Sequence, residues 1–275
     1  MSRDYAIGLV ANMLEERTGQ RLNPDRYWRV ESVLASLLRE RGIASGDDLT
    51  VLLTQPEGSA LADQLVEGML NNETYFFRDR QLFDVIANTV LPALARNRAD
   101  RRKLTIWSAG CASGQEPLSL ALMFDEQADR WRDWRIEIVA TDISQAMIAQ
   151  ARRGTYSQFE VQRGLGVAQM LRHFTSDNGV WRAKENLLSR VRYEVRNIHD
   201  APPFPGQFDL VLCRNLLMYF SDEVRRQTLM RLAGALAADG RLLLGGGETV
   251  SGLDDWLMPA AEGTGFYARG KAGRR

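Results

Sequence analysis

Cysteine is scarce in this chain. Cys111 and Cys213 are the only two among 275 residues, far apart and without metal-type spacing, which argues against a disulfide framework and for reduced thiols in a reducing compartment. Charge of one sign is not in excess either. Lys plus Arg and Asp plus Glu each total 35, so the basic footprint of a protein that grips duplex nucleic acid is missing. No apolar run approaches membrane-spanning length. The opening MSRDYAIGLVANMLEERTG sets acids inside its apolar pattern and does not read as a signal peptide. These features predict a cytoplasmic protein with no direct membrane insertion and no nucleic-acid partner. Internal repeats and low-complexity segments are absent as well.

What is present divides in two. The length suits one large α/β domain and a smaller one. From about residue 4 to 70, apolar residues recur at helical spacing: Ile7, Val10 and Leu14, then Tyr27, Val30, Leu34, Leu37 and Leu38, then Leu61, Leu65 and Met69. Asn23 followed by Pro24 marks the start of the second helix and Gly42 its end. A helical domain over residues 1–72 is therefore expected. Beyond residue 100 short apolar runs, LTIWSA, RIEIVATD, VRYEV, FDLVLC and RLLLGGG, alternate with amphipathic segments such as DEVRRQTLMRLAGAL. That alternation predicts a mostly parallel, doubly wound sheet over residues 99–275. Residues 73–98 read as a linker and a connecting helix bent or interrupted at Pro92, and the tail GKAGRR reads as frayed.

Polar residues gather where the strands should end. Gly110, Ser113 and Gly114 form a turn after LTIWSA and precede a helix whose first turn holds Glu116 and Pro117. Strand, glycine turn and helix let a backbone approach a nucleotide, although Gly-x-x-x-Gly lacks the third glycine of a dinucleotide fingerprint, and an ordinary tight connection has the same look. Asp142 ends VATD, where a carboxylate can accept from ribose hydroxyls; with Ser144 it equally suits a plain helix start in which Asp142 acts on the local backbone. A third run, FDLVLC, ends in Arg214 and Asn215, followed by Tyr219 and Ser221. Arginine at the edge of an apolar run is costly unless paired, and the Asn215 amide needs partners. Ligands of open α/β sheets bind outside the carboxyl ends of neighbouring strands, so the three ends together point to a cofactor pocket. Upstream, NNETYFFRDR sets Tyr75, Phe76 and Phe77 directly before Arg78. Such aromatics suit a buried cluster that staples a connector down.

Five ordered blocks, NNETYFFRD, IWSAGCASGQEPLSLA, ATDIS, FDLVLCRNLLMYF and GRLLLGGGE, resemble the chemotaxis receptor glutamate methyltransferases of the CheR family, and the likeness spans essentially the whole chain. The resemblance implies an α/β protein: a small N-terminal all-helical domain, then a Rossmann-like S-adenosylmethionine-dependent methyltransferase domain with a small antiparallel β subdomain inserted at about 155–195. It further implies that Asn72, Thr74 and Arg78 lie against the cofactor, that Glu116 and Asp142 hold its charged and ribose portions, that Asn197 and Ile198 flank the adenine, and that Arg214 and Asn215 line the site. No metal is required.

The implied reaction moves a methyl group from S-adenosylmethionine to a receptor glutamate, giving a methyl ester and S-adenosylhomocysteine. A carboxylate with an ordinary pKa of about 4.3 is already ionised at neutral pH, so no strong general base is needed. His173 and His199, the only two histidines, are expected to be incidental. Arg78 and Tyr219 are the candidates for placing the carboxylate. The implied partner is the cytoplasmic helical bundle of chemoreceptors, met by a monomer; Arg17, Arg21, Arg26 and Arg29 either face its acidic helices or form a solvated face. In the insert, HFTSDNGVWRA carries the hairpin signal Asn178-Gly179. The connection is too short for the glycine-containing loop of family members that grip a C-terminal pentapeptide, so a pentapeptide tether is not expected to be required. Two alternatives stand beside this: a non-catalytic cofactor-sensing or receptor-docking module of the same fold, and a nicotinamide-dependent dehydrogenase. The missing third glycine disfavours the second.

Overall fold

A computed structural model describes residues 3–53, 55 and 58–272. Contacts divide the chain into two units, Met1–Asn71 with Met218–Arg225, and Asn72–Leu217 with Arg226–Arg275. The division departs from the sequence expectation in two places. Residues 73–98 are no separate linker: Phe76, Phe77, Phe83, Ile86, Val90 and Leu91 are buried in the same cluster as Leu104, Ile106 and Leu118 of the second unit. Met218–Arg225 joins the helices, because Arg21 N–H donates to Tyr219 O at 2.7 Å and Gln20 bridges Phe220 in antiparallel fashion. A backbone pairing across about 200 residues of sequence leaves no local pattern to read.

In the first unit, helices Arg3–Thr18, Tyr27–Arg41, Gly46–Leu53 and Gly58–Met69 bury the apolar stripe that their spacing defines, including Val10, Leu14, Val30, Leu34, Leu65 and Met69. Asn23 does open the second helix, through a single 3-10 turn, Pro24–Arg26, and Gly42 closes it. Among the described residues, no helix is long and apolar enough to cross a membrane.

The second unit carries, among the described residues, strands β1 (Lys103–Ala109), β2 (Arg135–Asp142), β3 (Thr155–Ser157), β4 (Phe174–Asp177), β5 (Val180–Ala183), β6 (Val191–Val195), β7 (Phe208–Cys213), β8 (Leu236–Leu244), β9 (Leu257–Pro259) and β10 (Phe266–Arg269). The main sheet has the order β6-β2-β1-β7-β8-β10-β9. Its first five strands run parallel, and β10 and β9 are antiparallel additions. Every residue of β7 is buried, as a near-continuous apolar run in a covered parallel sheet requires. The order changes direction around β1, which lies between β2 and β7, and such a switch opens a crevice at the carboxyl ends.

Strands β3, β5 and β4 form the separate antiparallel sheet of the insert, with Asn178 and Gly179 as the two-residue turn between β4 and β5. The insert ends before residue 191, not near 195, because β6 returns to the main sheet and pairs with β2 from Ile138↔Val191 to Asp142↔Val195. The connecting helix is interrupted just ahead of Pro92. Two α-helical segments, Arg80–Val85 and Leu91–Arg96, flank a π-helical stretch, Ile86–Val90. Proline lacks an N–H and crowds the carbonyl four residues earlier, and widening the preceding turn removes that conflict without ending the helix.

Arg98 locks the connector to the sheet. It is 5% exposed, donates Nε to Asp209 Oδ1 at 2.8 Å and Nη1 to Asp239 Oδ2 at 2.8 Å. Asp209 Oδ2 accepts in turn from Thr105 N–H at 2.8 Å, so one guanidinium joins β1, β7 and β8. At the other end of the chain, Gly270 and Ala272 are tied down rather than frayed, donating to Trp256 O at 2.7 Å and Asp255 O at 2.8 Å; residues 273–275 lie outside the described residues.

Candidate active site

The turn after β1 is built from left-handed residues: Gly110, Ala112 and Gly114 have φ of 78°, 46° and 93°. At Gly114 a Cβ would stand 2.8 Å from Ala151 Cβ and 3.1 Å from Tyr193 Oη, so both conformation and space demand glycine. Asp142, at the end of β2, accepts from Ala112 N–H at 2.8 Å through Oδ2 and from Ser144 N–H at 2.9 Å through Oδ1. The carboxylate therefore acts on the local backbone, and the same bonds fix its plane beside the glycine turn. Next to it, Arg196 N–H donates to Asp142 O at 2.9 Å, which brings the end of β6 alongside. Asn197 follows in a tight turn, its Oδ1 accepting from His199 N–H at 3.1 Å, and Ile198 is half-buried.

Arg214, whose side chain is 1% exposed, is the hub of the site. Nη1 donates to Glu116 Oε2 at 3.0 Å; Nη2 donates to Asp79 Oδ2 at 2.6 Å and to Arg78 O at 2.8 Å. Glu116 also accepts from Ser108 Oγ at 2.8 Å and occupies the first helical turn after β1, where negative charge is favoured. Two carboxylates thus offset much of the cost of burying an arginine at a strand end, although its Nε has no hydrogen-bond partner among the described residues. Arg78 itself is half-buried. Its Nη1 donates to Glu73 O at 3.2 Å, and its guanidinium stands 5.5 Å from the centroid of the Tyr75 ring. Phe76 and Phe77 are buried, Phe77 packs edge-on against Phe83 at 5.3 Å, and Phe77 N–H donates to Ser119 Oγ at 2.9 Å. The aromatics are core residues, and they also hold the segment bearing Arg78. Asn72 and Thr74 are half-buried in the same segment.

Asn215 adopts φ 58°, and its conformation is imposed by Glu248, which sequence reasoning left without a role. Glu248 is 8% exposed and accepts from the N–H groups of Asn215, Leu216, Leu217 and Gly245 at 2.8–3.0 Å. The available signal was an acid directly after GGG at the end of an apolar strand. Asn215 Oδ1 is buried and has no hydrogen-bond partner among the described residues.

Tyr219 belongs to the first unit, where Asn71 Nδ2 donates to its hydroxyl and the Arg26 guanidinium stands 5.7 Å over its ring. The arginines of that unit have partners within it: Arg17 pairs with Asp63, Arg21 with Glu15, Arg26 reaches Met69 O, and Arg29 donates to Gly68 O at 2.9 Å. His173 is buried, and burial pushes its pKa down; His199 Nδ1 is 3.4 Å from Thr228 Oγ1. Both cysteines are unbridged and buried, which pushes their thiol pKa values up and makes them poor nucleophiles.

The strand ends that meet at the glycine turn are rich in acceptors: two carboxylates, Asp142 and Glu116, and the orphaned Asn215 oxygen. Such a set fits a ligand with hydroxyls and positive charge, whereas a pyrophosphate would take N–H donors. Fold and site together define a Rossmann-like S-adenosylmethionine-dependent methyltransferase. The chain belongs to the CheR methyltransferase family, whose model, "CheR methyltransferase, SAM binding domain", matches residues 72–265. It is similar to chemotaxis protein methyltransferase 1 of Pseudomonas aeruginosa, 37% identical over 262 residues that cover 94% of this chain and 95% of the relative. It is also similar to a chemotaxis protein methyltransferase of Pseudomonas putida, 37% identical over 247 residues (88% and 89% covered), and to one of Borreliella burgdorferi, 32% identical over 251 residues (88% of each). Its cofactor is S-adenosylmethionine.

Proposed function

We propose that this methyltransferase acts as a cytoplasmic monomer on the helical bundle of chemoreceptors, methylating glutamate side chains to glutamate methyl esters with release of S-adenosylhomocysteine. The observation that carries the proposal is the Arg214 network. One buried guanidinium ties Arg78 and Asp79 to Glu116, so the segment bearing the proposed carboxylate-orienting arginine is fixed to the helix that follows the glycine turn.

Bound S-adenosylmethionine supplies a methyl group on a positively charged sulfur. Asp142 takes the ribose hydroxyls, Glu116 and Asn215 the charged portion, and Asn197 and Ile198 flank the base; Asn72, Thr74, Arg78 and Arg214 complete the lining. Arg78 orients the incoming carboxylate. Its bond to Glu73 O and its position over Tyr75 hold the guanidinium in place, and orientation serves catalysis better than tight pairing, which would stabilise the ground state. The chain has no proton to move, because the nucleophile is ionised at neutral pH. Aligning the reacting groups and excluding water are its main tasks.

The two-residue β4–β5 turn leaves no space for a loop insertion there, which supports action without a C-terminal pentapeptide tether. Calorimetric titration with such a pentapeptide should give no heat; micromolar binding, about 8 kcal/mol, would overturn that part. The main experiment is incubation with labelled S-adenosylmethionine and receptor cytoplasmic fragments. Alkali-labile carboxyl methyl esters are the expected product, and cofactor binding without any transfer would favour the non-catalytic module.

A further inference from the structure

We propose that the antiparallel insert is a positioning element of the active site, with Tyr156 setting the glycine turn and Arg163 setting the segment that carries Arg78. The proposal rests on the cofactor and Arg78 assignments made above.

Tyr156 is the middle residue of β3 and is 2% exposed. Its hydroxyl donates to Ser113 O at 2.9 Å. Ser113 sits between Ala112 and Gly114, both in the left-handed region, and its own hydroxyl is engaged with Gln115 Oε1 at 2.8 Å. The carbonyl in the middle of the turn therefore takes its donor from the insert. A buried carbonyl that loses such a partner is destabilised in that conformation. The Tyr156 ring also packs edge-on against Phe76 at 5.2 Å, and Phe174 of β4 meets Phe76 at 5.6 Å. One side chain thus contacts the turn through its hydroxyl and the aromatic stretch through its ring.

Arg163, just after the short helix Gln158–Gln162 that follows β3, reaches the same stretch. Its Nη2 donates to Glu73 Oε1 at 2.8 Å, and its guanidinium stands 4.0 Å from the centroid of the Tyr75 ring. The Arg78 guanidinium meets the same two residues, through the Glu73 carbonyl and the Tyr75 ring. Beside Arg163, Gly164 has φ 107°, and a Cβ there would stand 1.7 Å from Phe76 O, an approach open only to glycine. Arg80 closes the contact by donating to Gly164 O at 3.0 Å. None of these bonds belongs to a sheet ladder or a helix. They are specific links from the insert to the turn and to the Arg78 segment.

Two variants separate the two links. Tyr156→Phe keeps the ring and removes one donor; it should weaken S-adenosylmethionine binding about 5- to 10-fold by calorimetry, with kcat at saturating cofactor unchanged. Arg163→Ala should raise amide hydrogen exchange over residues 73–80 and lower kcat roughly 10-fold at saturating cofactor, with Arg163→Lys recovering part of it and the melting temperature close to wild type. A merely structural role would move both parameters in both variants together with the melting temperature. Wild-type cofactor affinity in Tyr156→Phe, or unchanged exchange in Arg163→Ala, overturns the proposal. The calorimetry and exchange measurements need no receptor, so wild-type protein that binds cofactor but never methylates receptor would refute the substrate assignment alone.

Discussion

Glu248 accepts through Oε2 from the backbone N–H of Asn215 at 2.9 Å, across 33 residues of sequence. The same carboxylate takes the N–H groups of Leu216, Leu217 and Gly245, so it replaces the backbone partners that a chain leaving a strand in the left-handed region gives up. Glu248→Gln puts an NH2 group opposite donors. The expected outcome is a loss of about 3 kcal/mol in urea unfolding together with weaker S-adenosylmethionine binding, since Asn215 would relax. A variant of unchanged stability would show that these four bonds are not needed to hold the β7 exit.

For Asp142→Ala, cofactor affinity should fall by roughly 1–3 kcal/mol as the paired hydroxyl contacts are lost. Stability should fall as well, because Ala112 and Ser144 lose an acceptor. Calorimetry on the folded variant decides the matter: unaltered affinity removes Asp142 from the cofactor site.

Arg78 and Arg214 should respond in opposite ways. Arg78→Ala should lower turnover at least about 10-fold while changing stability by roughly 0.5 kcal/mol, because its side chain makes one neutral hydrogen bond and a ring contact. Arg214→Ala leaves the largely buried Glu116 without its cation, while the exposed Asp79 turns to water, and should cost about 3 kcal/mol, seen as a large drop in melting temperature. Full turnover in Arg78→Ala would return the aromatic stretch to a purely structural role.

Acid should expose the Arg98 clasp. Pairing with Arg98 draws the Asp239 carboxyl down from its ordinary 3.8 to about 2. A depressed folded pKa means that the stabilisation is fully present above pH 3.8 and is lost as pH falls through about 2. Asp239→Asn should therefore be less stable than the wild type at pH 5, and the two unfolding curves should converge as pH approaches 2. A stability gap that stays constant over that window would rule out Asp239 as the source.

The sequence by itself determined the main helices of the first unit, the five parallel strands, and the places of Asp142, Arg214 and Asn215 at strand ends and of Glu116 in the helical turn after β1, but not helix Gly46–Leu53 or the short strands β3, β9 and β10. Helical spacing, period-2 apolar runs, Asn-Gly and glycine turns are local, and backbone conformation answers to them locally. Five ordered blocks carried the family for the same reason. Tertiary structure decided the rest. The Glu248 cradle, the Arg98–Asp209–Asp239 clasp, the Tyr156–Ser113 bond and the return of β6 to the main sheet join residues far apart in sequence. A buried polar group must find a partner, but composition and spacing do not say which one, because packing brings the partner within hydrogen-bonding distance only after the chain has folded.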